Sequence, residues 1–413
     1  MDLHSLDRDI LQRFLRYVAV DTMSDSSSLS HPSTEGQWEL LRLLEKELKE
    51  DLKIVDVQMH EKGILIARIP ATCSCTAPVI ALMAHVDTSS AVMGNQVKPR
   101  VIESYEGGDI RLNASCILTK KDNPELCLYT GQTLVVTDGT TLLGGDDKAG
   151  IAEILAVANL LVHDPSIIHG PIELYFTPDE EIDRGMNYFP YDKIACDWCY
   201  TVDGEKRDCI DTECFNAAAV QVTVKGISYH LGAGRGRMVN AVTIVGAMIN
   251  ALPQAESPEA TDGRYGYYCP LKIGGTAEQA QLDIFLRDFD LQQLDRRIAA
   301  IQDLAKVLEA MYPGSSISLD TAYQYYNFAE ESRKVPQAVK TLFKAGEQLG
   351  LDLKETVIRG GTDGSWMAQA HHVPCPNIFT GGYNRHSVYE WVALRAMEDS
   401  VRLMVRLLEL AVE

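Results

Sequence analysis

Five residues far apart in the chain carry side chains suited to holding metal ions together, namely His85, Asp146, Glu181, Asp203 and His386. Three carboxylates brought into one cleft repel each other and push up their own pKa values, a conflict that bound cations remove. Mixed imidazole and carboxylate ligands suit zinc, cobalt or manganese. One catalytic ion with an open position cannot use so many ligands, but two ions about 3.5–4 Å apart that share a bridging carboxylate can. Asp146, at the start of a helix, is the natural bridge. Taken singly, each of these residues is more often a satisfied turn residue, so the reading rests on their convergence. Glu180, beside Glu181, has the chemistry of a general base toward a metal-activated water. Asp87, two residues past His85, is placed to hold the second imidazole nitrogen and fix its tautomer. Asp147 is read as a charge favouring a helix N-terminus.

The elements around these residues explain why they would meet. Short apolar runs at 79–84, 172–177, 198–202 and 376–380 each stop at a polar cluster that holds one of the five, and a helix over 149–162 follows Asp146. Apolar runs alternating with helices predict an α/β domain whose sheet is mixed, mostly parallel, with helices on both faces. Ligands of such sheets sit beyond the carboxyl ends of the strands. A helix is expected over 6–18. Thr34 and Gln37 fit a capping box for a second helix, and Val55, Val57 and Met59 alternate as a strand. From about residue 208 to 320 the texture changes to a β-α-β-β-α-β order, an inserted α+β lid domain. Residues 1–207 and 321–413 then form the catalytic domain in two parts. Within the insert, His230 lies in a Gly-rich loop and has the chemistry to donate to a tetrahedral oxyanion. Arg287, at a strand end, can grip a carboxylate bidentately.

Composition narrows the partners. Against 58 acidic residues the chain has 38 basic ones, a net charge of −20, which repels nucleic acid and anionic lipid. No stretch approaches the ~20 apolar residues of a membrane span. The residues from Met1 to Ser5 show no basic segment leading into an apolar core, so a cytoplasmic protein without a leader is expected. Cys196, Cys199, Cys209 and Cys214 have an irregular spacing for a zinc knot and are read as reduced thiols. A monomer or a homodimer is compatible with all of this.

The residues also carry a resemblance. The runs His85-Val-Asp-Thr88, Thr141-Leu-Leu-Gly-Gly-Asp-Asp-Lys-Ala-Gly150, Phe176-Thr-Pro-Asp-Glu-Glu-Ile182, Tyr200-Thr-Val-Asp-Gly204, Met238-Val-Asn-Ala241, Leu286-Arg-Asp-Phe-Asp290, Ile358-Arg-Gly-Gly-Thr-Asp-Gly364 and Phe379-Thr-Gly-Gly-Tyr-Asn-Arg-His386 span nearly the whole chain in order. Together they resemble the M20 metallopeptidases, and among them the tripeptide aminopeptidases. The resemblance implies two zinc ions per subunit, with cobalt or manganese as substitutes. One would be held by His85, Asp146 and Asp203, the other by Asp146, Glu181 and His386. It implies that Asp87 and Glu180 are the two catalytic acids. It also implies that His230 aids the oxyanion and that Arg287 reads the substrate carboxylate. Asp rather than Glu at position 203 looks like the aminopeptidase branch. Three departures stand out: Leu231 replaces the proline of the family's His-Pro-Gly, Asp183 replaces a usual Gly, and Arg385 and Ser387 flank His386 where an aromatic residue and Gly are common.

Overall fold

The structure, a computed structural model, describes residues 3–74 and 76–413, so the first two residues of the amino-terminal reading lie outside it. The chain divides into two compact units: Met1–Thr212 with Phe328–Thr356 and Thr362–Glu413, and Glu213–Asn327 with Val357–Gly361.

The first unit is built on an eight-stranded mixed sheet in the order Asp56–Met59, Leu65–Ile69, Ile172–Thr177, Ile80–His85, Trp198–Gly204, Asn377–Phe379, Cys209–Cys214, Lys354–Ile358. The four central strands run parallel. Ile80–His85 and Ile172–Thr177 are buried at every position, as expected where helices cover both faces. Successive side chains point to opposite faces. On one face Leu82, Leu174, Tyr200 and Ile378 join a core with the helices Leu3–Val18, Glu35–Lys46, Gly145–His163, Pro336–Leu349 and Leu394–Leu410. On the other face Ala81, Met83, Tyr175 and Cys199 pack with Met186, Phe189 and Met367, the last from the helix Asp363–His371. The register brings the strand ends level: His85 pairs with Thr177, Met83 with Thr201, and Phe379 with Gly204.

A second, small sheet delivers His386. Instead of following directly from a strand of the main sheet, His386 sits in the loop between Gly382–Tyr383 and Trp391–Ala393, which pair with each other. Trp391 in turn pairs with Val136. Tyr383 stacks on Trp391 with ring centroids 4.2 Å apart, and its hydroxyl meets that of Tyr129 at 2.7 Å, so the loop has a rigid base.

Local expectations are adjusted in three places. The first helix begins at Leu3 rather than residue 6. Val55 is 97% exposed and precedes its strand, because the chain turns before the pleat begins at Asp56. Thr34 stands at the N-cap of Glu35–Lys46 but its side chain caps no helix amide. Gln37 turns to Asp179 instead: its Oε1 accepts Asp179 N–H at 3.0 Å, and its NH2 donates to the buried carboxylate oxygen Asp179 Oδ1 at 2.7 Å, a charge-assisted bond.

The second unit holds a four-stranded antiparallel sheet in the order Tyr267–Gly275, Gln279–Asp288, Asn216–Lys225, Ser316–Tyr325. Val220, Val222, Val224, Leu282, Ile284 and Leu286 form its own core with the helices Ala241–Ala251 and Leu291–Met311. Both helices start at side-chain caps: Asn240 accepts from Val242 N–H, and Asp290 from the N–H groups of Gln292 and Gln293. Among the described residues no helix is long and apolar enough to cross a membrane, and no disulfide joins the cysteines.

Candidate metal centre

His85 ends a central strand, Asp203 is the penultimate residue of the next, Glu180 and Glu181 follow a third, and Asp146 opens the long helix behind them. The chain reaches Asp146 through Gly144, whose φ of +80° is a left-handed conformation that suits glycine. The Asp146–Asp147 peptide is cis. Asp146 divides its two oxygens between neighbours: Oδ1 lies 3.1 Å from His85 Nε2, and Oδ2 lies 3.0 Å from His386 Nε2. His386 Nε2 is also 2.9 Å from Glu181 Oε1. Asp203 Oδ1 is 3.9 Å and Glu180 Oε2 is 4.0 Å from His85 Nε2. A donor atom from each of His85, Asp146 and Glu181 fits within 4.8 Å, as does one from each of His85, Asp147 and Asp203. Among the described residues neither such group includes a cysteine. The donors are hard oxygens and imidazole nitrogens, and one carboxylate faces two ways. That set fits a pair of zinc-like ions.

Charge in the site is unbalanced. Burial first, then neighbouring carboxylates, pushes Glu181 up to about 7 and Asp203 up to about 6. Repulsion among the acids therefore contributes, but loss of water is the larger cause. Burial also drives Glu180 well above the ordinary carboxylate range, with Asp203, Asp363 and Glu181 adding to it and His85 opposing it. Burial works against a charge on His85, yet bonds to Asp146 and Asp87 hold its pKa well above the usual value. His386 is pushed up to about 10 by Asp146 and Glu181. Asp146 resists its burial and stays well below the ordinary range, first because of the Arg385 guanidinium and then because of both imidazoles. Acids that take up protons and imidazoles that refuse to release them are the signature of a site short of cationic charge.

Several residues hold the ligands in place. Asp87 presents its backbone carbonyl to His85 Nδ1 at 3.0 Å, with its Oδ1 at 3.4 Å. The Asp87 carboxylate accepts the N–H groups of Glu180 and Glu181 at 2.9 and 3.1 Å, joining the first ligand to the acidic turn. Asp147 is fully buried: it accepts Gly150 N–H, as a helix-start acid does, and also His85 N–H at 3.3 Å. Asp179, at a left-handed φ of +59°, accepts from Ser33 N–H, Ser33 Oγ and the Gln37 amide, which pins the turn just before Glu180. The His31 ring spans Lys62 O and Arg184 O on the far side of that turn. Asp183 takes a left-handed φ of +57°, which an Asp tolerates better than most residues. Glu390 accepts three backbone N–H groups, from Leu143, Gly144 and Asp146, at 2.6, 2.8 and 3.1 Å. Asp179, His31 and Glu390 belong to no metal-ligand pattern; Asp179 adjoins Glu180 and Glu390 closely follows His386 in sequence, whereas nothing near His31 in the chain ties it to the site.

His230 and Arg287 belong to the second unit. His230 is exposed and precedes a short 3-10 turn, Leu231–Ala233. Arg287 is buried; it donates to Leu286 O and Gln324 Oε1, and its guanidinium lies over the rings of Phe285 and Tyr325. Among the described residues no carboxylate pairs with it.

A mixed, centrally parallel sheet with acids and imidazoles at its carboxyl edge, joined in one chain to a separate α+β unit, defines a metal-dependent hydrolase. The profile of peptidase family M20/M25/M40 matches residues 137–410, and the chain belongs to that family as a metallopeptidase. It is 42% identical over 407 residues to the Peptidase T of Geobacillus thermodenitrificans, an alignment that covers 98% of each chain. Its fold is that of the aminopeptidase PepT from Bacillus cereus, with a TM-score of 0.78 at 22% identity over 98% of this chain and 99% of that one. A tripeptidase from Staphylococcus aureus matches with a TM-score of 0.77 at 18% identity, over 98% of both chains.

Proposed function

We propose that the chain is an aminopeptidase that releases the N-terminal residue of tripeptides, using two zinc ions. His85, Asp146 and Asp203 would hold one ion, and Asp146, Glu181 and His386 the other. The observation that carries this reading is the division of Asp146, with one oxygen toward His85 and the other toward His386. When bound, the ions polarise the scissile carbonyl and lower the pKa of water toward about 7. Glu180, whose raised pKa suits a group that must both take and give a proton, accepts the proton of the attacking water and passes it to the leaving amine. Asp87 keeps the His85 ring and the Glu180 turn oriented. His230 serves as the oxyanion donor and Arg287 as the reader of the substrate carboxylate. A buried guanidinium with no acidic partner among the described residues supports the latter, since an unpaired buried charge is costly unless a ligand completes it.

The test is product identification on a peptide panel with zinc supplied. Tripeptides should yield a free N-terminal residue and a dipeptide, whereas release of the C-terminal residue, or preference for dipeptides or N-acyl amino acids, would overturn the reading. Glu180→Gln should abolish turnover while zinc stays bound.

A further inference from the structure

Arg385, the residue before His386, reaches into the site. In an extended chain two successive side chains point to opposite faces. Here Asn384 and His386 take left-handed φ values of +54° and +58°, which breaks the alternation and turns Arg385 and His386 toward the same carboxylate. Arg385 does not treat the two halves of the site alike. Its Nη1 donates to Asp203 Oδ1 at 2.8 Å and lies 3.5 Å from Asp146 Oδ1, the oxygen that faces His85. Its Nη2 donates to Gly204 O at 2.8 Å. The side chain is 14% exposed, and Nε is buried without a partner. Among the described residues no lysine or arginine pairs with Glu181 or with the Asp146 oxygen that faces His386.

A guanidinium is permanently charged in a protein and cannot withdraw by losing a proton. It satisfies an Asp203 oxygen that an incoming dication needs, and it repels that dication at short range in a buried setting where water screens poorly. The position built on Glu181 and His386 is spared the first effect and lies farther from the second.

We propose that Arg385 makes the two metal positions unequal, so that the Glu181–His386 position fills first and the His85–Asp203 position fills only as the guanidinium gives up its grip on Asp203. The inference rests on the two-metal reading given above. It makes Arg385 a positioning residue for Asp203, and it makes the number of bound ions a function of free metal concentration.

The test uses the full chain, stripped of metal by chelation and titrated with Zn2+ against a chromophoric chelator, with bound zinc counted by elemental analysis. The wild-type chain should take up two ions in steps separated by at least about tenfold in affinity, the scale on which groups behind metal ligands act. Arg385→Met should tighten the weaker step about tenfold or more and leave the tighter step unchanged. Arg385→Lys, which keeps the charge, should leave the weaker step weak. Asp203→Asn should remove the weaker step alone. Two equal steps in the wild-type chain, or an Arg385→Met chain whose weaker step does not tighten, would overturn the inference while leaving the two-metal reading intact. A chain that binds no more than one ion at saturating zinc, with or without Arg385, would overturn both. The wild-type titration needs no variant to fold, so the inference stays exposed to refutation even if the substitutions disrupt the site.

Discussion

Glu390→Gln isolates what holds the bridging carboxylate. Glu390 Oε2 accepts Leu143 N–H and Gly144 N–H, and Oε1 accepts Asp146 N–H, all in a buried setting. A glutamine of the same shape keeps a single acceptor oxygen. If that oxygen serves Leu143 and Gly144, the amide NH2 must face the N–H of Asp146, and a donor meets a donor. One hydrogen bond to a charged group is worth about 1.5–3 kcal/mol, and a buried donor left unpaired costs about 1–3 kcal/mol more. Because the turn can relax, a net loss of about 2–4 kcal/mol is expected. That relaxation is limited, because the backbone at Gly145 is closely packed: a Cβ there would lie 2.7 Å from Val392 Cγ2 and 3.0 Å from Glu390 Oε1. The assay is amide hydrogen exchange on the metal-free chain, read on peptides spanning residues 142–149. At about 1.4 kcal/mol per factor of ten, the loss corresponds to exchange roughly 30- to 700-fold faster at Leu143, Gly144 and Asp146. Peptides from the second unit should be unaffected. Exchange at those three amides that changes less than about threefold, against the tenfold per 1.4 kcal/mol scale, would refute the reasoning.

Further outcomes follow from residues away from the ligands. Burial raises the Glu153 carboxyl well above its ordinary value, its Ser400 partner notwithstanding. The folded chain therefore binds this proton more readily than the unfolded chain. Stability is fully present below the unfolded pKa near 4.5 and is lost as pH climbs toward the folded value. Glu153→Gln should match wild type in thermal melts at pH about 4.5 and exceed it at pH about 8, so an equal difference at both would refute the account. His230 has φ −58° and ψ +122°, a conformation that tolerates a following proline, and Leu231 is 81% exposed at the first position of its turn. Leu231→Pro should stabilise the second unit by about 0.4–1 kcal/mol through the unfolded chain, seen as a raised melting temperature. A Cβ on Gly150 would come within 1.9 Å of Val202 O, which is backbone and cannot swing aside. Gly150→Ala should therefore cost about 3 kcal/mol or more and lower metal affinity, because the helix bearing Asp146 must move off the strand bearing Asp203.

Much of this molecule was legible in one dimension, and for a definite reason. The central strands are buried on both faces, so they read as unbroken apolar runs, and each run ends where its polar residue must face the cleft. His85, Glu181 and Asp203 could be picked out because strand ends in such a sheet converge. The β-α-β-β-α-β order of the second unit was likewise written in alternation and helical spacing. Reliance on single strand ends misplaced His386, whose position depends on a hairpin tied to Trp391 and Val136, a contact between segments far apart in the chain. Gln37 fits a local cap in sequence for the same reason: the partner it takes, Asp179, is distant in the chain.

The order of residues alone thus pointed to side chains with the chemistry to bind metal, and to central strands that carry His85, Glu181 and Asp203 toward one edge of a sheet. That follows from burial and periodicity, which act over a few residues. Tertiary structure alone decided that Asp146 turns one oxygen to each imidazole, that Glu390 and Asp179 clamp the turns, and that Arg385 leans on Asp203. Those facts depend on angles and distances between segments set by packing, and no pattern confined to one stretch of chain encodes them.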